Sequence, residues 1–192
     1  MKRHTFDKLV SYVGLGLAGL LFIFAGLLNW GASFADENVA SQLAMQNISF
    51  PSVDSMPAAT KDQLTKWADQ KVMTGEMARD YSDLYILEHM NASATAVMGK
   101  PATYSEVSGA YMGLVRGGST DTAKIAQYGE LRETLFMGNT LRGMLLQAYA
   151  FGTMGVIAGY AAIASLVGGL VFLLLAIAGL MHIRRTPKDA TI

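Results

Sequence analysis

The chain has no cysteine, which excludes disulfides, thiolate metal sites, iron–sulfur clusters and cysteine nucleophiles. An exported domain built from it must therefore fold on its packing alone. Histidine is nearly as scarce, and only His89 lies between the two long apolar runs described below. A two-histidine, one-carboxylate iron site or an ordinary mononuclear zinc hydrolase site needs two. Charge is sparse too. Charged residues make up 16% of the 192, and fifteen basic side chains cancel fifteen acidic ones, so net charge points to no nucleic-acid partner. No serine sits in a G-x-S-x-G elbow, and no G-x-x-x-x-G-K-S/T phosphate loop occurs.

What the sequence has in quantity is apolar surface: 52% of residues are hydrophobic and mean hydropathy is +0.30. Leu9 to Trp30 is an uncharged run long enough to cross a bilayer, which takes about 20 apolar residues. Small residues ending at Ala35 raise the alternative of a cleaved signal peptide, but the run exceeds the usual h-region of roughly 7 to 15 residues. A second run, Gly143 to Ile183, is about twice the length a bilayer needs. Lys2, Arg3 and Lys8 precede the first run, and Arg184, Arg185 and Lys188 follow the second. Basic flanks mark the cytoplasmic side, so both tails read as inside. The expected layout is a cytoplasmic tail over 1–8, a transmembrane helix over 9–30 and an extracytoplasmic helical domain over 31–157. A second transmembrane helix over 158–181 and a cytoplasmic tail over 182–192 complete it. The location this implies is the inner (plasma) membrane, with lipid as an obligatory partner.

The stretch "GLGLAG", Gly14 to Gly19, spells a dinucleotide fingerprint, yet it lies inside an apolar helix with no strand before it. Small residues at such spacing let another helix approach closely. Gly14 and Ala18 in the first run, and Gly155, Gly159, Ser165 and Gly169 in the second, are the candidates. They fit packing of the chain's own two helices or packing against a partner. Neither run has Asp, Glu, Lys or Arg in its interior, which argues against a transporter acting alone.

The region between the runs carries nine basic residues against thirteen acids and reads as helical throughout. Ser33 is placed to cap a helix carrying Phe34, Val39, Leu43 and Met45, and Pro51 and Pro57 then force extended backbone. Thr60 with Gln63, and Thr103 with Glu106, have capping-box spacing. The longest soluble helix should run from Thr74 with an apolar stripe of Met77, Tyr81, Leu84, Tyr85, Leu87 and Met90, ending at Gly99 before Pro101. Another closes at Gly117 and Gly118. After Thr120 or Asp121 a last pattern restarts and leads into the second apolar run. The fold expected is an all-α membrane protein with two transmembrane helices flanking a helical bundle.

Counting back from the basic anchor places the outer interface near Gly159 and Tyr160. Leu141 to Ala158 would then stand about 27 Å clear of the bilayer at 1.5 Å per residue. A stalk bearing Met144, Leu145, Tyr149 and Phe151 needs covering by its own domain, by a second copy or by a partner.

Candidate chemistry is thin. Glu76, Asp80 and Asp83 share one helix face, where carboxylates could hold a divalent cation. Arg79 stands beside them, and the plainer reading is a solvated charged face. His89 follows Glu88 directly, so the two point apart, and it reads as a surface or capping residue or a contributor to an interchain metal site. The methionines are dispersed at helical spacing, as core filler is. Asn47 and Asn91 match glycosylation sequons, a short motif that arises often by chance.

The segments "LLNWGASFADENVASQLAMQNISFP", "VMTGEMARDY", "TYSEVS" and "TLRGMLLQAYAF" resemble a family of actinobacterial inner-membrane proteins with two transmembrane helices. Some members carry an aromatic ring-opening dioxygenase label. The resemblance implies the same topology and host, but the iron ligands that label requires are missing here, so it carries over no catalytic residue. The expectation is a protein that is not an enzyme and needs no cofactor. It would serve as an accessory or scaffold subunit of a membrane complex, respiratory or of the cell envelope, or as a self-assembling membrane protein. The alternative is an extracytoplasmic ligand-binding or sensory domain that signals through a separate partner.

Overall fold

A computed structural model of the chain describes residues 3–185 and 187. Lys2 and Lys188, two of the basic residues used to orient the chain, lie outside the described residues. The elements are all helical: α1 (Arg3–Gln46), α2 (Lys61–Leu64), α3 (Gly75–Asp80), α4 (Leu87–Met98), α5 (Tyr104–Arg116) and α6 (Thr122–Ile183). A π-helical turn, Tyr81–Ile86, links α3 to α4, and short 3-10 turns occupy Val53–Ser55 and Thr65–Trp67. Among the described residues no strand forms, only an isolated antiparallel bridge between Ser49 and Lys71.

The chain divides into two compact units: Met1–Asp36 with Met154–Ile192, and Glu37–Thr153. In the first, α1 and α6 pack antiparallel through small residues. A side-chain carbon added at Gly14 would lie 3.3 Å from the Ala176 Cβ, one at Gly169 2.8 Å from the Phe22 ring, and one at Gly155 2.8 Å from the Ala35 Cβ. Gly159 faces Ala32 at 3.8 Å. Most buried positions recur every seven residues, at Ser11, Ala18 and Ala25 on α1 and at Gly155, Ala162, Gly169, Ala176 and Ile183 on α6, while Ala35 follows Ala25 by ten. The seven-residue spacing is the period of a coiled-coil seam. The candidate packing residues Gly14, Ala18, Gly155, Gly159 and Gly169 therefore serve the chain's own helix pair, while Ser165 is half-buried. Gly16, Gly19 and Gly26 face away, with nothing within 4 Å of an added Cβ.

Ser33 does not begin a helix. It lies inside α1, which continues to Gln46 because no proline or capping competitor interrupts it. Termination comes instead at Asn47, whose φ of 50° is the left-handed conformation asparagine tolerates.

The second unit has two adjoining cores. One gathers Val39, Leu43, Phe50, Leu64, Val72, Met77 and Leu145, and the other Met90, Ala94, Val107, Leu131 and Leu135. The expected long helix from Thr74 forms with a π-helical turn inside it. Thr74 Oγ1 accepts from the Met77 N–H at 3.2 Å, and Gly99 ends it at φ 76°. The box at Thr103 and Glu106 is complete. The one at Thr60 is not: its side chain makes no cap bond, and its hydroxyl donates to the Leu84 carbonyl at 2.6 Å. That carbonyl belongs to the π-helical turn, where Leu87 N–H reaches back to the Ser82 carbonyl and the usual α-helical pairing is lost.

Candidate functional site: an uncharged groove and the charged cluster beside it

The carboxylates expected on a solvated face are occupied by cations. Asp80 is buried at 4% exposure, which corrects that reading. Its Oδ2 accepts from Trp67 Nε1 at 2.9 Å and lies 3.1 Å from Lys66 Nζ, while Oδ1 meets Arg79 at 2.7 Å. Glu76 pairs with Lys66 at 3.1 Å, and Asp83 takes Arg142 at 2.9 Å. Burial alone pushes the Asp80 carboxyl up. The hydrogen bonds from Trp67, Arg79 and Lys66 outweigh it and hold the group below the ordinary carboxylate value. Arg142 also donates through Nε to the Ser82 carbonyl at 3.2 Å, tying α6 to the π-helical turn. Among the described residues, no three His, Cys, Asp or Glu side chains are grouped to hold a metal ion. His89 is exposed and stacks on Tyr85 at 6.5 Å.

A sequence signal for the burial of Asp80 existed. It stands three residues after Met77 and four before Leu84, on the apolar stripe itself. A carboxylate there is carried inward with its neighbours and has to find partners.

The stalk residues separate into two groups. Leu145 is in the core, and Tyr149 is half-buried, with its ring 5.3 Å from the Arg79 guanidinium. Gly75 makes that approach possible, because a Cβ there would stand 3.1 Å from the Tyr149 Cα. Met144 remains 64% exposed and Phe151 37%. Leu141 and Met137 are open as well, one and two helical turns before Met144, and Phe136 is exposed too.

Between the Glu37–Gln46 part of α1 and residues 141–151 of α6 runs a groove of about 410 Å³. Val39, Leu43, Leu145 and Ala148 are its floor, and Leu141, Met144, Phe151 and Ile48 its walls. Its polar lining is Asn38, Gln42 and Gln46, one helical turn apart on α1, and Gln147 on α6. Among the described residues, no charged side chain lines it, and none of the four carboxamides has a hydrogen-bond partner in the protein. The reading of the sequence did not single out this row of carboxamides, although its four-residue spacing was visible.

Comparison of the chain with protein families, curated proteins and solved structures finds no match.

Proposed function

We propose that this is a two-pass membrane protein acting as a non-enzymatic accessory or scaffold subunit of a larger membrane assembly. α1 would cross the bilayer near Leu9 to Trp30 and α6 near residues 158–181. Both tails would be cytoplasmic, and the Glu37–Thr153 unit would lie outside. Both long helices are apolar and long enough to cross, and only 17% of the most apolar 18-residue window of each is buried. Such surface needs lipid or protein around it.

The observation that carries the accessory role is the open apolar ridge of Phe136, Met137, Leu141 and Met144 on α6. Beside it, the acidic groups offered for chemistry at positions 76, 80 and 83 are occupied by internal ion pairs. A ridge of this kind fits another membrane subunit or a second copy of the chain. The test is extraction in mild detergent followed by affinity purification. Wild type should bring down a defined partner or a homo-oligomer, and Phe136→Ser with Met137→Ser should lose it. A wild-type protein that emerges as a monodisperse, partner-free monomer would sink the proposal.

The groove favours a second reading, a ligand-binding external unit, because its size and its few polar groups on an apolar lining are those of small-molecule sites.

A further inference from the structure

We propose that the groove between Asn38–Ile48 and Leu141–Phe151 binds an uncharged lipid: an acyl or isoprenoid chain with a carbonyl- or hydroxyl-bearing head. The inference rests on the second reading above and on the membrane anchoring of the chain.

Charge selects first. Among the described residues the lining offers no cation or anion, so a phosphate, carboxylate or ammonium head would find no counter-charge there. Hydrogen-bond chemistry selects next. Each carboxamide offers an acceptor oxygen and two N–H donors. Asn38, Gln42, Gln46 and Gln147 therefore match ester or ketone carbonyls and hydroxyls, and they are not used by the protein itself. Apolar lining supplies the remainder of the match. The floor residues Leu43 and Leu145 are 4% and 5% exposed and belong to a packed core, so the floor is preformed. Met144, unbranched and 64% exposed, is a wall that adapts to chains of different shape.

A helix of a partner is the less suited occupant. Its backbone groups are already bonded within the helix, so the four carboxamides would go unmatched unless polar side chains met them. Under the membrane reading, the two helices that line most of the groove, α1 and α6, also carry the apolar segments, so lipid is a solvent this chain already meets.

The experiment uses the full chain in mild detergent and two photoreactive probes of equal chain length, a diacylglycerol and a phosphatidic acid. The diacylglycerol should crosslink within 38–48 and 141–151, and at least about tenfold more than the charged probe, a difference of about 1.4 kcal/mol. Gln42→Glu, which puts a carboxylate at the rim, should cut labelling by a similar factor. Met144→Trp, which fills the groove from an exposed position, should do the same without touching the core. Equal labelling by both probes, crosslinks elsewhere, or labelling indifferent to both substitutions overturns the proposal. So does recovery from native membranes of a polypeptide crosslinked in the groove. Phe136→Ser with Met137→Ser separates this from the accessory role, since it should lose the partner and keep the label. Recovery of the chain in the soluble fraction would instead refute the membrane anchoring, whatever the probes show.

Discussion

In the unit that holds the two apolar segments, α1 and α6 meet over Ser11, Ala18, Ala25, Gly155, Ala162, Gly169 and Ala176. In the Glu37–Thr153 unit, the elements meet over Leu64, Val72, Met77, Val107 and Leu135. The first seam is made of the smallest side chains, and its large ones point away. The second packs large side chains at its contacts and adds a buried carboxylate held by three donors. The difference fits the solvents proposed for the two units, lipid for the first and water for the second. Where lipid already solvates leucine and phenylalanine, burying them gains little, and close backbone approach is what remains to hold helices together. In water, burial of large apolar side chains is the main drive, and Asp80 must then be paired once it is carried inside.

The comparison breaks most readily at Asp80. Asp80→Ala removes the acceptor for the Trp67 Nε1–H and leaves Arg79 and Lys66 without their buried partner. Both cations are partly exposed and recover some hydration, so the expected loss is about 3 kcal/mol, the low end for breaking a buried pair. Urea unfolding followed by Trp67 fluorescence, with Trp30→Phe to silence the other tryptophan, measures it. The pH dependence carries its own sign. Because the folded carboxyl titrates below its ordinary 3.8, its contribution is full above the unfolded group's range and fades as pH falls toward the folded value. Wild type should therefore exceed Asp80→Asn in stability near neutral pH, and the gap should narrow below about pH 4. A gap that widens in acid would show that the paired form of Asp80 is not the ionised one.

The all-helical character of the chain and its two long apolar helices were legible in the sequence because they rest on composition and period. The Thr103 box, the Gly99 stop and the restart at Asp121 each depend on a few neighbouring residues, and each stands as expected. What stayed hidden depended on partners far along the chain. The Thr60 hydroxyl donates to Leu84, twenty-four residues on, and Arg142 reaches Ser82 and Asp83 from sixty and fifty-nine residues away. Ser33 misled for a different reason: a serine followed by apolar residues also occurs inside helices, and nothing there forces a break. The groove was only half visible. Its apolar wall was expected as a stalk surface, but the carboxamide row acquires meaning only once α1 is seen to continue past Trp30 and lie beside α6.

Next in size is the seam. Gly155→Leu places a branched side chain where even a Cβ would stand 2.8 Å from Ala35 and 3.4 Å from the Ala32 carbonyl. Backbone on the opposite side cannot swing away as a flexible side chain would. The expected loss is about 2 kcal/mol from overpacking, read as a lower melting temperature in detergent. Unchanged melting would mean that α1 and α6 do not depend on this approach.

Gly26→Ala sharpens the same point with the smallest effect. Gly26 lies on the face of α1 turned away from α6, with nothing within 4 Å of an added Cβ, so the methyl group meets no obstacle within the chain. An alanine inside a helix is favoured over glycine by up to about 1 kcal/mol, through the backbone freedom that glycine loses on folding. The isolated chain in detergent should therefore melt at the same temperature or slightly higher, the opposite sign to Gly155→Leu. A marked drop in melting temperature would mean that the Gly26 face is covered in the purified protein, by a second copy of the chain, and that the seam with α6 is not the only close helix contact it makes.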